Sequence, residues 1–190
     1  MGKGRVERGR RPLLQRVIRA STTRSTAALW GKSALNALLF FAIFAVALPA
    51  AAHWALPLQL PIPGSLGVGL AVLLFLAGLA GWIWGLDAFS RRGRGTPLAL
   101  DAPRHLVTEG PFAWCRNPIM VSELAVIWAV AFTLRSLGAA VYAAALTVLA
   151  HWLVSRVEEP ELRARFEAAY EAYCERVPRW IPRVGPARRD

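Results

Sequence analysis

Residues 118–155 read PIMVSELAVIWAVAFTLRSLGAAVYAAALTVLAHWLVS: two apolar runs, Pro118–Leu134 and Gly138–Ser155, split by Arg135, Ser136 and Leu137. Glu123 is the only carboxylate in them and His151 the only imidazole. A bilayer core of about 30 Å is crossed by roughly 20 helical residues, with a range of about 17–25. Backbone groups in hydrocarbon must be satisfied internally, so such runs are predicted to be helices, here an antiparallel hairpin. Working outward, Ala34–Leu56 and Leu66–Phe89 pass the same length test, the second carrying only Asp87 near its end. The predicted fold is all-α and membrane-integral: four transmembrane helices, followed by a C-terminal amphipathic helix. The chain divides into a basic arm (1–33), the first two spans (34–89) and a second half (90–190) that carries the chemistry.

Of 190 residues 55% are hydrophobic, yet 23 Lys and Arg against 12 Asp and Glu leave a net charge of +11. Such a surplus alone suggests nucleic acid, but its distribution points elsewhere. Nine basic residues precede the first span, five lie between Ser90 and Asn117, one is Arg135, and eight follow Ser155. With alternating sides, 22 of the 23 fall on one face, which the positive-inside rule makes cytoplasmic, as in a bacterial inner membrane. Both termini are then inside. The basic arm has no interleaved aromatics for base stacking, so nucleic acid is excluded as a partner. The arm is also too long for a signal-peptide n-region, so the first helix is expected to be retained. Leu13, Leu14, Val17 and Ile18 with Arg11, Arg16 and Arg19 fit either an interfacial amphipathic helix or a solvated basic tail. Cys115 and Cys174 fall on the reducing side and imply no disulfide. His53, His105 and His151 lack ligand spacing, so no metal site is expected.

Polar residues at membrane depth are functional candidates by default. Glu123 and His151 lie fourteen residues either side of Leu137, and Arg116 and Glu158 twenty-one either side, so each pair is expected at equal depth. Glu123 and His151 read either as a hydrogen-bonded pair joining two helices or as an acid/base pair on the acceptor side. Before the hairpin, His105–Pro118 (HLVTEGPFAWCRNP) mixes turn residues, aromatics and a cation. Pro118 suits the first helical position and Asn117 the N-cap. Arg116 is thereby held beside a helix N-terminus, either to meet an anionic group or to anchor a lipid headgroup. After the hairpin, Glu158 and Glu159 point in different directions, so one can pair with Arg116 while the other accepts from hydroxyls such as a ribose diol. Pro160 opens a helix whose Leu162, Phe166, Ala169, Tyr170 and Tyr173 recur at helical spacing. Val177-Pro178-Arg179-Trp180-Ile181-Pro182-Arg183 reads as an interfacial anchor.

Together, Gly95-Thr96-Pro97, the Leu106–Pro118 block, Glu158-Glu159-Pro160-Glu161-Leu162, the Phe166/Tyr170/Tyr173 series and the closing Val177–Pro182 run resemble the integral-membrane methyltransferases, the isoprenylcysteine carboxyl methyltransferase and phospholipid N-methyltransferase group. That resemblance implies S-adenosylmethionine as donor, bound between the two motifs, and a hydrophobic or lipid-like acceptor admitted from the membrane. It carries Gly110, Arg116, Asn117, Pro118 and Glu159 over as cofactor-site or catalytic candidates, with Glu158, His105 and Leu106 beside them. Arg116, Glu123 and His151 are the catalytic candidates. Phe112 and Met120 stand where the group has tyrosines, and Ser122 where it has glycine, so the donor is better defined than the acceptor. A membrane reductase of the sterol-reductase kind, using NADPH, and a non-enzymatic membrane scaffold are the alternative readings.

Overall fold

A computed structural model of the chain describes residues 26–89, 91 and 105–182. The basic arm up to residue 25 and Gly95-Thr96-Pro97 lie outside the described residues. Among the described residues the regular elements are helices: α1 (Thr26–Phe40), α2 (Leu48–Ala55), α3 (Gly64–Ala88), α4 (Pro118–Leu134), α5 (Leu137–Leu153) and α6 (Glu159–Arg176). Three stretches are long and apolar enough to cross a membrane: Ala34–Ala55, Gly64–Ala88 and the continuous helix Leu137–Arg176. The apolar α4, with 17 residues, is shorter.

Two π-helical turns interrupt the α-helical run, Phe41–Ala47 between α1 and α2, and Val154–Glu158 between α5 and α6. Each lies just before a proline, Pro49 or Pro160. A proline inside a helix lacks its N–H and crowds the carbonyl four residues back, and the wider turn relieves both. The Leu48 N–H accordingly bonds the Ile43 carbonyl and the Glu159 N–H the Val154 carbonyl. Tyr142 Oη of α5 donates to the Phe44 carbonyl at 2.9 Å within the first π-turn.

The tightest seam is α3 against α4, set by small residues. A Cβ on Gly78 would lie 2.8 Å from the Ser122 carbonyl oxygen, and one on Gly85 2.5 Å from Ile119 Cγ1. Helices in lipid gain little from apolar contact alone, so close backbone approach at such residues supplies the packing. Ser122, where the resemblance expects glycine, is buried and faces Gly81, whose Cβ would lie 2.5 Å from its Oγ. The space lost on α4 is thus found on α3.

At the hairpin turn, Arg135 takes a left-handed conformation (φ 47°), and Ser136 caps α5 by accepting from the Ala139 N–H at 3.1 Å. The α2–α3 connection docks on this turn, with the Leu60 N–H on the Arg135 carbonyl and the Leu137 N–H on the Leu58 carbonyl, both 2.8 Å. At the opposite end α6 turns back over the α3–α4 connection. It buries Tyr170 and Tyr173, with Leu162, Phe166 and Cys174 partly covered, against Leu86, Val107, Phe112 and Ile119. Ala169, expected on that face, is exposed, and α6 is kinked at Glu167 (φ 46°).

Candidate active site

The chemistry gathers at the open end of the hairpin. Gly110, at φ 62°, takes a left-handed conformation that favours glycine, and starts the short 3-10 turn Gly110–Ala113. That turn buries Phe112 edge-on against Phe89, at 5.1 Å between centroids, and aims its carbonyl at Tyr173 Oη, 2.7 Å away. Leu106 packs partly against this core, and His105 is exposed. The turn delivers Arg116 and Asn117 to the start of α4, with Pro118 at the first helical position as expected. Asn117 makes no side-chain cap. Its Nδ2 instead donates to the Arg179 carbonyl at 3.2 Å, and the Arg116 N–H donates to the Pro178 carbonyl at 2.8 Å. The closing run Val177–Pro182, read from sequence as an anchor, is therefore a strap laid across the site, its Val177 buried.

Glu159 is the centre. It is 1% exposed, and three arginines surround its carboxylate. Arg179 forks onto it, Nε to Oε1 at 2.6 Å and Nη2 to Oε2 at 2.8 Å. Arg116 Nη2 lies 3.2 Å from Oε1 and Arg163 Nη1 3.6 Å from Oε2. Burial pushes this carboxyl up, but the Arg179 hydrogen bonds and the charges of Arg116, Arg179 and Arg163 outweigh it and hold the pKa below the ordinary glutamate value. Arg163 also pairs with Glu171, so Arg116 and Arg179 share the single charge of Glu159. Arg116, with a side chain only 10% exposed, keeps its buried Nε without a partner.

Of the two adjacent carboxylates, the one that pairs with Arg116 is Glu159. The reason is the π-turn Val154–Glu158, which adds a residue per turn where sequence reasoning assumed a 3.6-residue period. Glu158, an exposed residue, lies next to Glu159 in the chain. Glu123 and His151, for which one reading was a hydrogen-bonded pair, meet different partners. Half-buried Glu123 meets the Trp82 indole of α3 and feels the charge of Glu158. His151 is exposed, and its Nδ1 accepts from Trp180 Nε1 of the strap at 3.0 Å. Cys115 is 2% exposed, and burial pushes its thiol up against a backbone hydrogen bond at Asn117. It is therefore a neutral packing residue rather than a nucleophile.

Sequence reasoning missed Arg179, Arg163, Trp82 and Trp180 as parts of this end. Arg163 was findable, since it stands four residues after Glu159 on one helix. Arg179 had no such signal, because a strap folding back over the site has no periodicity. Among the described residues no group of His, Cys, Asp and Glu is arranged to hold a metal.

The model of the phospholipid methyltransferase family matches residues 66–169, from α3 through the hairpin into α6. Searches of curated proteins and of solved structures gave no match. The matched span contains Arg116, Glu123, Glu158 and Glu159, and more than half of the chain. The chain belongs to the phospholipid methyltransferase family and is an integral-membrane methyltransferase.

Proposed function

We propose that the protein transfers a methyl group from S-adenosylmethionine to a hydrophobic or lipid-like acceptor at the cytoplasmic face of the membrane. In this reading α4 is a fourth, short span, the open end of the hairpin faces the cytoplasm with both termini, and α6 is an amphipathic helix lying at the rim. The basic arm (1–33) and first two spans (34–89) hold the catalytic half (90–190) in a bacterial inner membrane. The charge map supports this orientation, since 22 of 23 basic residues then share one side.

The observation that carries the reading is the unpartnered, buried Nε of Arg116 beside Arg179, the two sharing the one buried carboxylate of Glu159. A buried donor left unmade is costly, and a carboxylate such as that of the donor's amino-acid portion would satisfy it. A neighbouring residue fits another part of the same molecule: Glu158 can accept from a ribose diol. When bound, S-adenosylmethionine supplies an electrophilic sulfonium methyl group.

The chain's residues do the remaining work. Arg116 orients the donor, so that positioning supplies much of the acceleration. Glu159 does not touch the donor; it holds Arg116, Arg163 and Arg179 together. Glu123, at membrane depth beside Trp82 and Glu158, takes the proton released by an amine, hydroxyl or carboxyl acceptor. His151 is assigned no proton: with Nδ1 accepting from Trp180, the neutral ring carries its hydrogen on Nε2, and it buttresses the strap. Calorimetry in detergent with S-adenosylhomocysteine and, separately, NADP⁺ tests the reading. Binding of the first alone is expected; binding of NADP⁺ alone would overturn it in favour of a reductase.

A further inference from the structure

Arg179 lies beyond the residues matched by the family model, on a strap whose backbone is tied to both residues preceding α4. Three tethers hold it: the Arg116 N–H on the Pro178 carbonyl, Asn117 Nδ2 on the Arg179 carbonyl, and Trp180 Nε1 on His151. So placed, its guanidinium satisfies both oxygens of Glu159 in a bidentate fork, the strongest ion-pair geometry available to arginine.

The other two arginines show what this fork prevents. Arg163 already donates from Nε to Glu171 at 2.8 Å and reaches Glu159 only at 3.6 Å. Arg116 touches Glu159 through Nη2 alone, and its Nε–H is free. A buried carboxylate that lost the Arg179 fork would demand new donors; Arg163 is held by Glu171, whereas Arg116 has a spare N–H at Nε. Arg116 would then turn its open edge inward onto Glu159, away from any ligand.

We propose that Arg179 is a positioning residue of the methyltransferase site: by occupying both oxygens of Glu159 it keeps the edge of Arg116 open for the anionic part of the donor. The proposal rests on the reading of Arg116 given above, and the test separates the two. It is a double-mutant cycle in the full-length protein in detergent, with Arg179→Met, Glu159→Gln and the pair, plus Arg179→Lys. Readouts are S-adenosylhomocysteine binding by calorimetry, the KM for S-adenosylmethionine against kcat, and thermal unfolding to confirm folded protein.

In the otherwise native chain, Arg179→Met is expected to weaken binding and raise the donor KM by about tenfold or more, the scale of one lost charge-assisted hydrogen bond. Its effect on kcat at saturating donor should be smaller. In the Glu159→Gln background the same substitution should change binding less than about twofold, because the two residues act through one pair. Arg179→Lys keeps the charge but cannot fork, so it should fold and fall between the two. Native protein that binds S-adenosylhomocysteine while folded Arg179→Met or Arg179→Lys binds it equally well would overturn the proposal alone. Additive losses in the cycle would overturn it too. Native protein that binds none would overturn the reading of the site and the proposal together.

Discussion

The two ends of the α4–α5 hairpin each bury an arginine with an unpartnered Nε, and only one of them carries a cluster of ionised partners. At the turn end, Arg135 donates from Nη2 to the Ile62 carbonyl at 3.0 Å, its own carbonyl accepts from Leu60, and no ion pair to it is formed among the described residues. Its work is to hold the α2–α3 connection on the turn. At the open end, Arg116 shares a nearly inaccessible carboxylate with two further arginines, beside an exposed second carboxylate and a half-buried third. An orphaned guanidinium N–H is therefore no signature of a site by itself. What distinguishes Arg116 is that it and Arg179 share the one buried carboxylate of Glu159, the arrangement on which the proposed donor site rests.

Breaking the open end at its centre should give the largest effect. Glu159→Ala leaves Arg116 and Arg179 without their anion and is expected to cost about 3–5 kcal/mol, the range for removing one partner of a buried pair, seen as a lower unfolding temperature in detergent. At the turn end, a Cβ at position 138 would overlap the Ala52 carbonyl oxygen. Gly138→Ala is expected to cost about 1–3 kcal/mol by overpacking, while the folded fraction retains donor affinity. That separation of stability from binding would sharpen the contrast.

The pH dependence bears on the open end as well. Glu159 has a lowered pKa in the native state, so the unfolded chain binds its proton more readily. Its stabilising contribution is thus complete above the ordinary glutamate value of about 4.3, declines as pH falls below that, and is lost once pH passes the lowered native value. Unfolding temperatures measured down through the acid range should show this loss, and Glu159→Gln should remove that component. The smallest effect expected is Arg135→Ala, about 1 kcal/mol for one hydrogen bond to a neutral carbonyl, again by thermal unfolding.

Much of this contrast was legible before any coordinates. Run lengths marked α4 with its correct limits, Pro118 marked its start, and the charge asymmetry separated the two ends. The Arg116 region and the paired carboxylates were found because polar residues beside apolar runs stand out. Which of the two carboxylates would meet Arg116 was open, because an uninterrupted 3.6-residue period does not contain the π-turn before Pro160 that precedes Glu159. A depth calculation also ignores which way a helix face points, so Glu123 and His151 were paired although their partners are Trp82 and Trp180. Arg179 was read only for its chemistry at an interface, since the fold-back of the strap depends on contacts with residues some sixty positions earlier.

The most direct test compares the two orphaned arginines. S-adenosylhomocysteine binding should be measured by calorimetry on the native protein, Arg116→Ala and Arg135→Ala, each shown to be folded. Arg116→Ala is expected to lose about tenfold or more in affinity, the scale of a charge-assisted hydrogen bond, and Arg135→Ala to bind as the native protein does. Unchanged affinity in Arg116→Ala, or a loss confined to Arg135→Ala, would contradict the assignment of the donor site to the open end.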